Sequence, residues 1–364
     1  MENKILIPLV LVSILLVISI IVFVYANQSS PQSSPTNLED CNTLEYNGKD
    51  VINLVFFSNE KEAKKYSDFL FTIPPLNENK EKFNIFYITN YQPECEIYKD
   101  IALLCYSKEI LTKASSCPND YIIVLESQPS KIRSSALMNV ISINTNHPEN
   151  VLVHEFGHAF ANLAEEYIPA KIPEDSKNCV NSCDKFSVLD GCFKECSESS
   201  YYRSVENGIM RTLSSNNYGA FNELLIKQKI KSAGTTITIK AIDIEQNCPE
   251  EQYYLLELIF QDNQIKTISK SIEQGCVGGN GEGPFTYNLI DNQGNQISEE
   301  NFNPLNIFTD APYEETIDGE IFQSDKPFII RLPIVDKAQE LQITSQSTYS
   351  EISLNDIGGR ACLI

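Results

Sequence analysis

His154-Glu155-Phe156-Gly157-His158-Ala159-Phe160-Ala161-Asn162-Leu163-Ala164-Glu165-Glu166-Tyr167 is the stretch around which the chain is organised. In a helix, residues i and i+4 project from one face a turn apart, so His154 and His158 can place two imidazoles on one zinc ion. Glu155 then stands beside that ion. Its carboxylate can take a proton from the attacking water and pass it to a leaving amine, the metallopeptidase reading of H-E-x-x-H. His147, the third histidine of the protein, precedes the helix and reads as a surface-loop residue, and Asn150 reads as the helix N-cap.

A catalytic zinc takes three protein ligands and keeps one position for water. Glu165 lies seven residues past His158, about 10.5 Å further along an unbroken helix, which is out of reach. The helix must therefore stop. Asn162 is the residue best able to stop it, because asparagine tolerates the left-handed conformation that ends helices. Glu165 or Glu166 then supplies the third ligand, and the spacing leaves the choice open.

Upstream, strand-like runs (residues 51–57, 83–88, 121–125 and 140–143) alternate with helical patterns at residues 59–71 and 101–114, which predicts an α/β mixed sheet carrying the metal helix. Downstream, Cys179, Cys183, Cys192 and Cys196 read as two nested disulfides near the site rather than a second zinc site. Met210 follows a turn-forming Asn207-Gly208 and precedes a helical pattern at residues 221–230, which predicts a tight turn under the metal. Tyr167, Tyr201 and Tyr202 are candidate oxyanion stabilisers. From residue 234 onward the chain changes to short alternating runs (TTITIKAIDI, YYLLELIF, IKTISKSI, FTYNLID, PFIIRLPIV, ELQITS), predicting an all-β sandwich without catalytic residues.

The 364 residues carry a net charge of -21, from 49 acidic and 28 basic side chains, which argues against a nucleic-acid partner. Residues 5–26 form an uncharged apolar run, roughly 33 Å long as a helix. This predicts a single transmembrane helix with the catalytic part outside, or a signal segment cut after Ala26 that releases a secreted protein. The organisation expected is residues 1–26 as anchor or signal, 27–38 as a Ser/Pro-rich linker, 39–233 as the zinc-peptidase domain and 234–364 as the sandwich. Eleven cysteines suit an oxidising exterior, with Cys248 and Cys276 placed to staple the sandwich. Cys105, within the apolar Ile101-Ala102-Leu103-Leu104-Cys105-Tyr106, reads as a buried free thiol.

HEFGHAFANLAEEY, together with the later YYRSVENGIMR and its following helix, resembles the IgA-peptidase family of secreted zinc metallopeptidases, which is related to the metzincins. The resemblance covers residues 51–230 and a C-terminal β-domain of similar kind. It implies one catalytic zinc ion held by His154, His158 and an acidic ligand at Glu165 or Glu166, with Glu155 as general base and Met210 as the Met-turn residue. The chain departs from the stricter metzincin pattern at Ala161, where that pattern has a glycine, and at Ala164, where it has a third histidine. The fold expected is thus a metzincin-like α/β domain followed by a β-sandwich. The function expected is a membrane-anchored extracellular zinc endopeptidase acting on peptides or proteins, and the alternative is an inactive, metallopeptidase-like cell-surface binding protein.

Overall fold

Ile52-Asn53-Leu54-Val55-Phe56-Phe57 is buried at every position, so this strand must be covered on both faces. Residues 38–186, 191–233, 248–313, 316–355 and 357 are described by the computed structural model. In chain order they comprise β1 (Asn42–Glu45), β2 (Ile52–Phe57), α1 (Glu60–Leu70), β3 (Phe83–Ile88), β4 (Glu96–Tyr98), β5 (Ala102–Leu104), α2 (Lys108–Ala114), β6 (Tyr121–Glu126), β7 (Ser134–Leu137), β8 (Val140–Asn144) and α3 (Asn150–Ala161). A hairpin of β9 (Phe193–Cys196) and β10 (Glu198–Arg203) and the helix α4 (Ala220–Ala233) follow. The remainder is strand: β11 (Gln252–Gln261), β12 (Gln264–Gln274), β13 (Phe285–Asp291), β14 (Gln296–Phe302), β15 (Asn306–Tyr313), β16 (Thr316–Gln323), β17 (Phe328–Pro333), β18 (Ala338–Thr344) and β19 (Tyr349–Ser353).

The largest sheet has eight strands in the order β1-β3-β2-β6-β8-β7-β15-β16. Its strands β3, β2, β6 and β8 run parallel, and the outer ones pair antiparallel. Because side chains alternate along a strand, Leu54, Phe56, Ile85, Ile123 and Ile141 point to one face, where they meet Leu152, Val153, Phe156 and Phe160 of α3. Val55, Phe57, Phe86, Ile122 and Val124 point to the other face, against Ile110 and Leu111 of α2 and Tyr253 and Leu255 of β11. Helix α3 is thereby held between the sheet and α1 and α4.

Two smaller sheets, β12-β11-β17 and β14-β13-β18-β19, enclose a second core of Leu256, Leu258, Phe285, Tyr287, Phe302, Ile330 and Leu341, which is a β-sandwich. It is tied into the rest by Arg331 of β17. That buried guanidinium donates to Asn119 Oδ1 at 2.6 Å and to the Gly279 carbonyl at 2.8 Å.

Several expectations are corrected. The chain is predominantly β, with nineteen strands against four α-helices among the described residues, rather than a metzincin-like α/β domain followed by a free-standing sandwich. The physical reason is that β15 and β16 leave the C-terminal strands and complete the first sheet through β7. Neither of these strands stood out in the sequence, because Pro312, Gly319 and several acidic residues interrupt their apolar pattern. The helix expected over residues 101–114 is shorter: Ala102–Leu104 is a strand, and the helix begins at Lys108, capped by Ser107 Oγ accepting from Ile110 N.

The single-pass membrane placement is also corrected: no helix among the described residues is long and apolar enough to cross a membrane. The apolar run of residues 5–26 lies outside the described residues, as do the run at residues 235–244 and Cys362.

Five disulfides are present among the described residues, Cys41–Cys117, Cys95–Cys105, Cys179–Cys196, Cys183–Cys192 and Cys248–Cys276. The nested pair near the site and the Cys248–Cys276 staple are therefore formed. Cys105 is not a free thiol.

Candidate metal centre

The helix α3 ends at Ala161. Asn162 takes the left-handed conformation (φ 47°, ψ 40°) and donates its backbone N–H to the His158 carbonyl at 3.0 Å, so the chain turns back after one residue. That reversal brings Glu165 to the histidines, its Oε1 lying 3.0 Å from His158 Nε2 and its Oε2 3.2 Å from His154 Nε2.

Glu166 points elsewhere. Its Oε1 accepts from Asn222 Nδ2 at 2.8 Å and Asn178 Nδ2 at 3.2 Å, and its N–H donates to the Met210 carbonyl at 2.8 Å. Burial pushes its carboxyl up to about 7, against the pull of those amide donors. The choice between the two glutamates thus falls to Glu165 on geometry.

A fourth side chain completes the group. Asp310 of β15 sets its Oδ2 at 3.4 Å from His154 Nε2 and 3.7 Å from His158 Nε2. Phe308, two residues earlier on the same face, stacks on the His158 ring at a centroid distance of 4.1 Å. Asp310 was not among the residues read from the sequence, where Ile307-Phe308-Thr309-Asp310-Ala311 carries no motif that marks it. His154, His158, Glu165 and Asp310 together form a group able to hold a metal ion.

The hydrogen bonding of the histidines shows why the group fits a cation. His154 Nδ1 faces the Ile209 carbonyl at 2.9 Å and His158 Nδ1 faces the Leu163 carbonyl at 2.6 Å. Carbonyls only accept, so each Nδ1 carries the proton and each neutral ring turns its Nε2 lone pair inward. The two Nε2 atoms are 3.1 Å apart. Two nitrogen lone pairs and two carboxylates thus converge, and the inward oxygens of Glu165 and Asp310 accept no hydrogen bond. The four ligand atoms lie within 4.8 Å of one another, with Glu165 turning one oxygen to each histidine, a group somewhat wider than the edges of about 3.3–3.4 Å of a tetrahedral site with bonds of about 2.0–2.1 Å and able to close on an ion.

Without a cation the site must take up protons instead. Burial disfavours the charged imidazoles, yet the Asp310 and Glu165 carboxylates prevail, holding His154 well above the usual histidine range and His158 up to about 9. The same attraction keeps Asp310 well below the usual carboxylate range despite its burial.

Glu155 is fully buried beside this group, and neither of its oxygens has a hydrogen-bond donor. Burial, with the Asp310 charge adding to it, raises its carboxyl well above the usual range.

Beneath the histidines, Met210 is fully buried in the turn that supplies the Ile209 and Met210 carbonyls to His154 and Glu166. The remaining predicted residues divide. Tyr167 donates its hydroxyl to Asp310 Oδ1 at 2.8 Å, Tyr201 packs on the cluster of Ala164, Cys179 and Cys196, and Tyr202 pairs through its backbone with Val180. Of the three, Tyr167 reaches the metal group. His147 is buried rather than on the surface, its Nε2 2.9 Å from the Ser130 carbonyl, and it stands outside the group. Asn150 does not cap the helix. Its amide spans to the Leu213 carbonyl at 2.9 Å and fastens the Met210 segment to the start of α3.

No known family model matches this sequence. No curated protein matches it significantly either. The functional reading therefore rests on the site itself.

Proposed function

We propose that this chain is a zinc-dependent endopeptidase in which His154, His158 and Glu165 hold the metal and Glu155 is the general base. The observation that carries this reading is the convergence of those three ligands, with no hydrogen-bond donor turned toward the Glu165 oxygens, beside an unpaired Glu155 on the same helix as the histidines. An N2O2 donor set carrying two negative charges matches a divalent ion of borderline softness such as zinc. A bound zinc would polarise the scissile carbonyl and acidify the attacking water.

The chain's own residues would do the rest. Glu155, whose two carboxylate oxygens meet no hydrogen-bond donor of the chain, would take the proton from the water and deliver it to the departing amide nitrogen. The Ile209 and Leu163 carbonyls keep both imidazoles in the metal-binding tautomer throughout. Of the three candidate tyrosines, Tyr167 alone is near enough to assist at the carbonyl oxygen, once its hydroxyl is released from Asp310. The five disulfides support an oxidising, extracellular setting.

The test is metal analysis of the purified chain together with hydrolysis of an unfolded protein substrate by wild type and Glu155→Gln. The variant should keep its metal and lose hydrolysis by a factor of about 100 or more. A Glu155→Gln variant that hydrolyses as fast as an active parent chain, or a chain that takes up no metal, would sink the proposal.

The second reading, an inactive metallopeptidase-like binding protein with a structural metal, is favoured by one observation: Asp310 gives the site four protein ligands, the number typical of structural zinc.

A further inference from the structure

Three features of the centre point the same way. All of its groups are sealed from solvent, with His154, Glu155, Glu165 and Asp310 at 0 % exposure and His158 at 1 %. A hydrolytic zinc site leaves one of four positions to water, and here Asp310 stands at the fourth. The position of Asp310 is also built in. Gly319 is its direct partner across the β15–β16 pair, and a β-carbon at Gly319 would overlap both the Asp310 carboxylate and the Tyr167 hydroxyl. Only glycine at that register leaves room for the Tyr167–Asp310 hydrogen bond.

The element carrying Asp310 is a hairpin at the edge of the large sheet. β15 and β16 pair along their whole length, from Asn306 against Gln323 to Tyr313 against Thr316. Among the described residues, β15 meets the rest of the sheet only over Phe308, Thr309 and Asp310, against Ala136, Ser135 and Ser134 of β7. The hairpin is thus strand-paired more extensively to itself than to the sheet. Phe308 and Ile321 on one core and Ile307 and Phe322 on the other keep it seated.

We propose that the β15–β16 hairpin is an intrinsic lock on the metal centre: Asp310 fills the coordination position that hydrolysis requires for water, and the chain is latent until the hairpin is displaced. The proposal rests on the metallopeptidase reading above and deepens it. Displacement would vacate the fourth position, free the Tyr167 hydroxyl and uncover the edge of β7 that β15 now pairs with, to which an extended peptide substrate would then add as a strand.

The test uses the full chain loaded with cobalt(II), whose visible absorption reports coordination number, and acetohydroxamate as a metal-directed probe. The wild-type spectrum should be insensitive to the probe. Asp310→Ala should bind it at least about tenfold more tightly, and its zinc form should hydrolyse an unfolded protein at least about tenfold faster, a gain that Glu155→Gln in the same chain abolishes. Tyr167→Phe, which frees one Asp310 oxygen without removing the ligand, should fall between the two. A wild-type spectrum that responds to the probe as strongly as Asp310→Ala overturns the lock and leaves the peptidase reading standing. Should Asp310→Ala not fold, the same conclusion follows from Tyr167→Phe behaving like wild type while wild type binds the probe. If Asp310→Ala admits the probe but cleaves nothing, the peptidase reading fails and the lock stands.

Discussion

Met210 occupies the space that a side chain on Gly157 would need: a β-carbon there would lie 2.8 Å from Met210 Sδ and 3.0 Å from Tyr218 Cε1. The central glycine of HEFGH therefore serves the turn beneath it, by letting that turn approach the helix closely enough for the Ile209 carbonyl to orient His154.

Gly157→Ala should consequently destabilise the protein although alanine favours helix. Overpacking costs about 1–3 kcal/mol and the helix preference returns about 1 kcal/mol, so a net loss of up to about 2 kcal/mol is expected in denaturant unfolding. Combined with Met210→Ala the two losses should be less than additive, since the second substitution removes the clash created by the first.

Glu165→Gln and Glu166→Gln should separate cleanly in metal affinity, measured by competition with a chromophoric chelator. Loss of the Glu165 carboxylate removes a ligand and should weaken binding by more than about 100-fold, beyond what groups that only orient ligands contribute. Glu166→Gln keeps an acceptor for Asn222 and Asn178 and should stay within about tenfold of wild type. Equal losses would place both carboxylates on the metal.

Metal uptake should release protons. In the metal-free protein the Asp310 and Glu165 carboxylates favour the protonated imidazoles against the cost of burial, whereas metal binding requires both rings neutral. Calorimetry in buffers of different ionisation enthalpy should find net proton release on metal binding near pH 7, and affinity should fall as the pH is lowered. Asp310→Asn should reduce the release, because a main source of the raised proton affinity is gone.

Disruption of Cys41–Cys117 should be far more damaging than disruption of Cys183–Cys192. The first closes 76 residues and the second 9, for which loop entropy gives about 4.5 and about 2.6 kcal/mol. Paired Cys→Ser variants compared by denaturant midpoint will test the order. Metal affinity should move little in the Cys183/Cys192 variant, since that bridge lies outside the bonds that hold the site.

What could be read from the sequence was what is local. Two histidines a helical turn apart, a glutamate between them and an asparagine that ends the helix all act within a dozen residues, and spacing alone predicts their geometry. Glu165 could not be told from Glu166, because the two differ only in which way the chain turns after Asn162, and that is settled by distant partners: the Met210 carbonyl, Asn178 and Asn222. Asp310 was invisible for a related reason. It arrives by strand pairing with β7, and strand partners that far apart in sequence leave no periodic trace. The fold-class expectation was corrected at the same place, where the C-terminal strands contribute a hairpin to the first sheet.

The pairing of β15 with β7 also sets an order of events in time. Asp310 follows Glu165 by 145 positions (310 minus 165), so at roughly 5–20 residues per second it is made roughly 7–30 s after the other three ligands. Each new molecule would thus pass through an interval in which His154, His158 and Glu165 exist without their fourth partner. Any chain whose synthesis stops before residue 306 would remain in that open condition, so the segment from residue 306 onward is the part that completes the group.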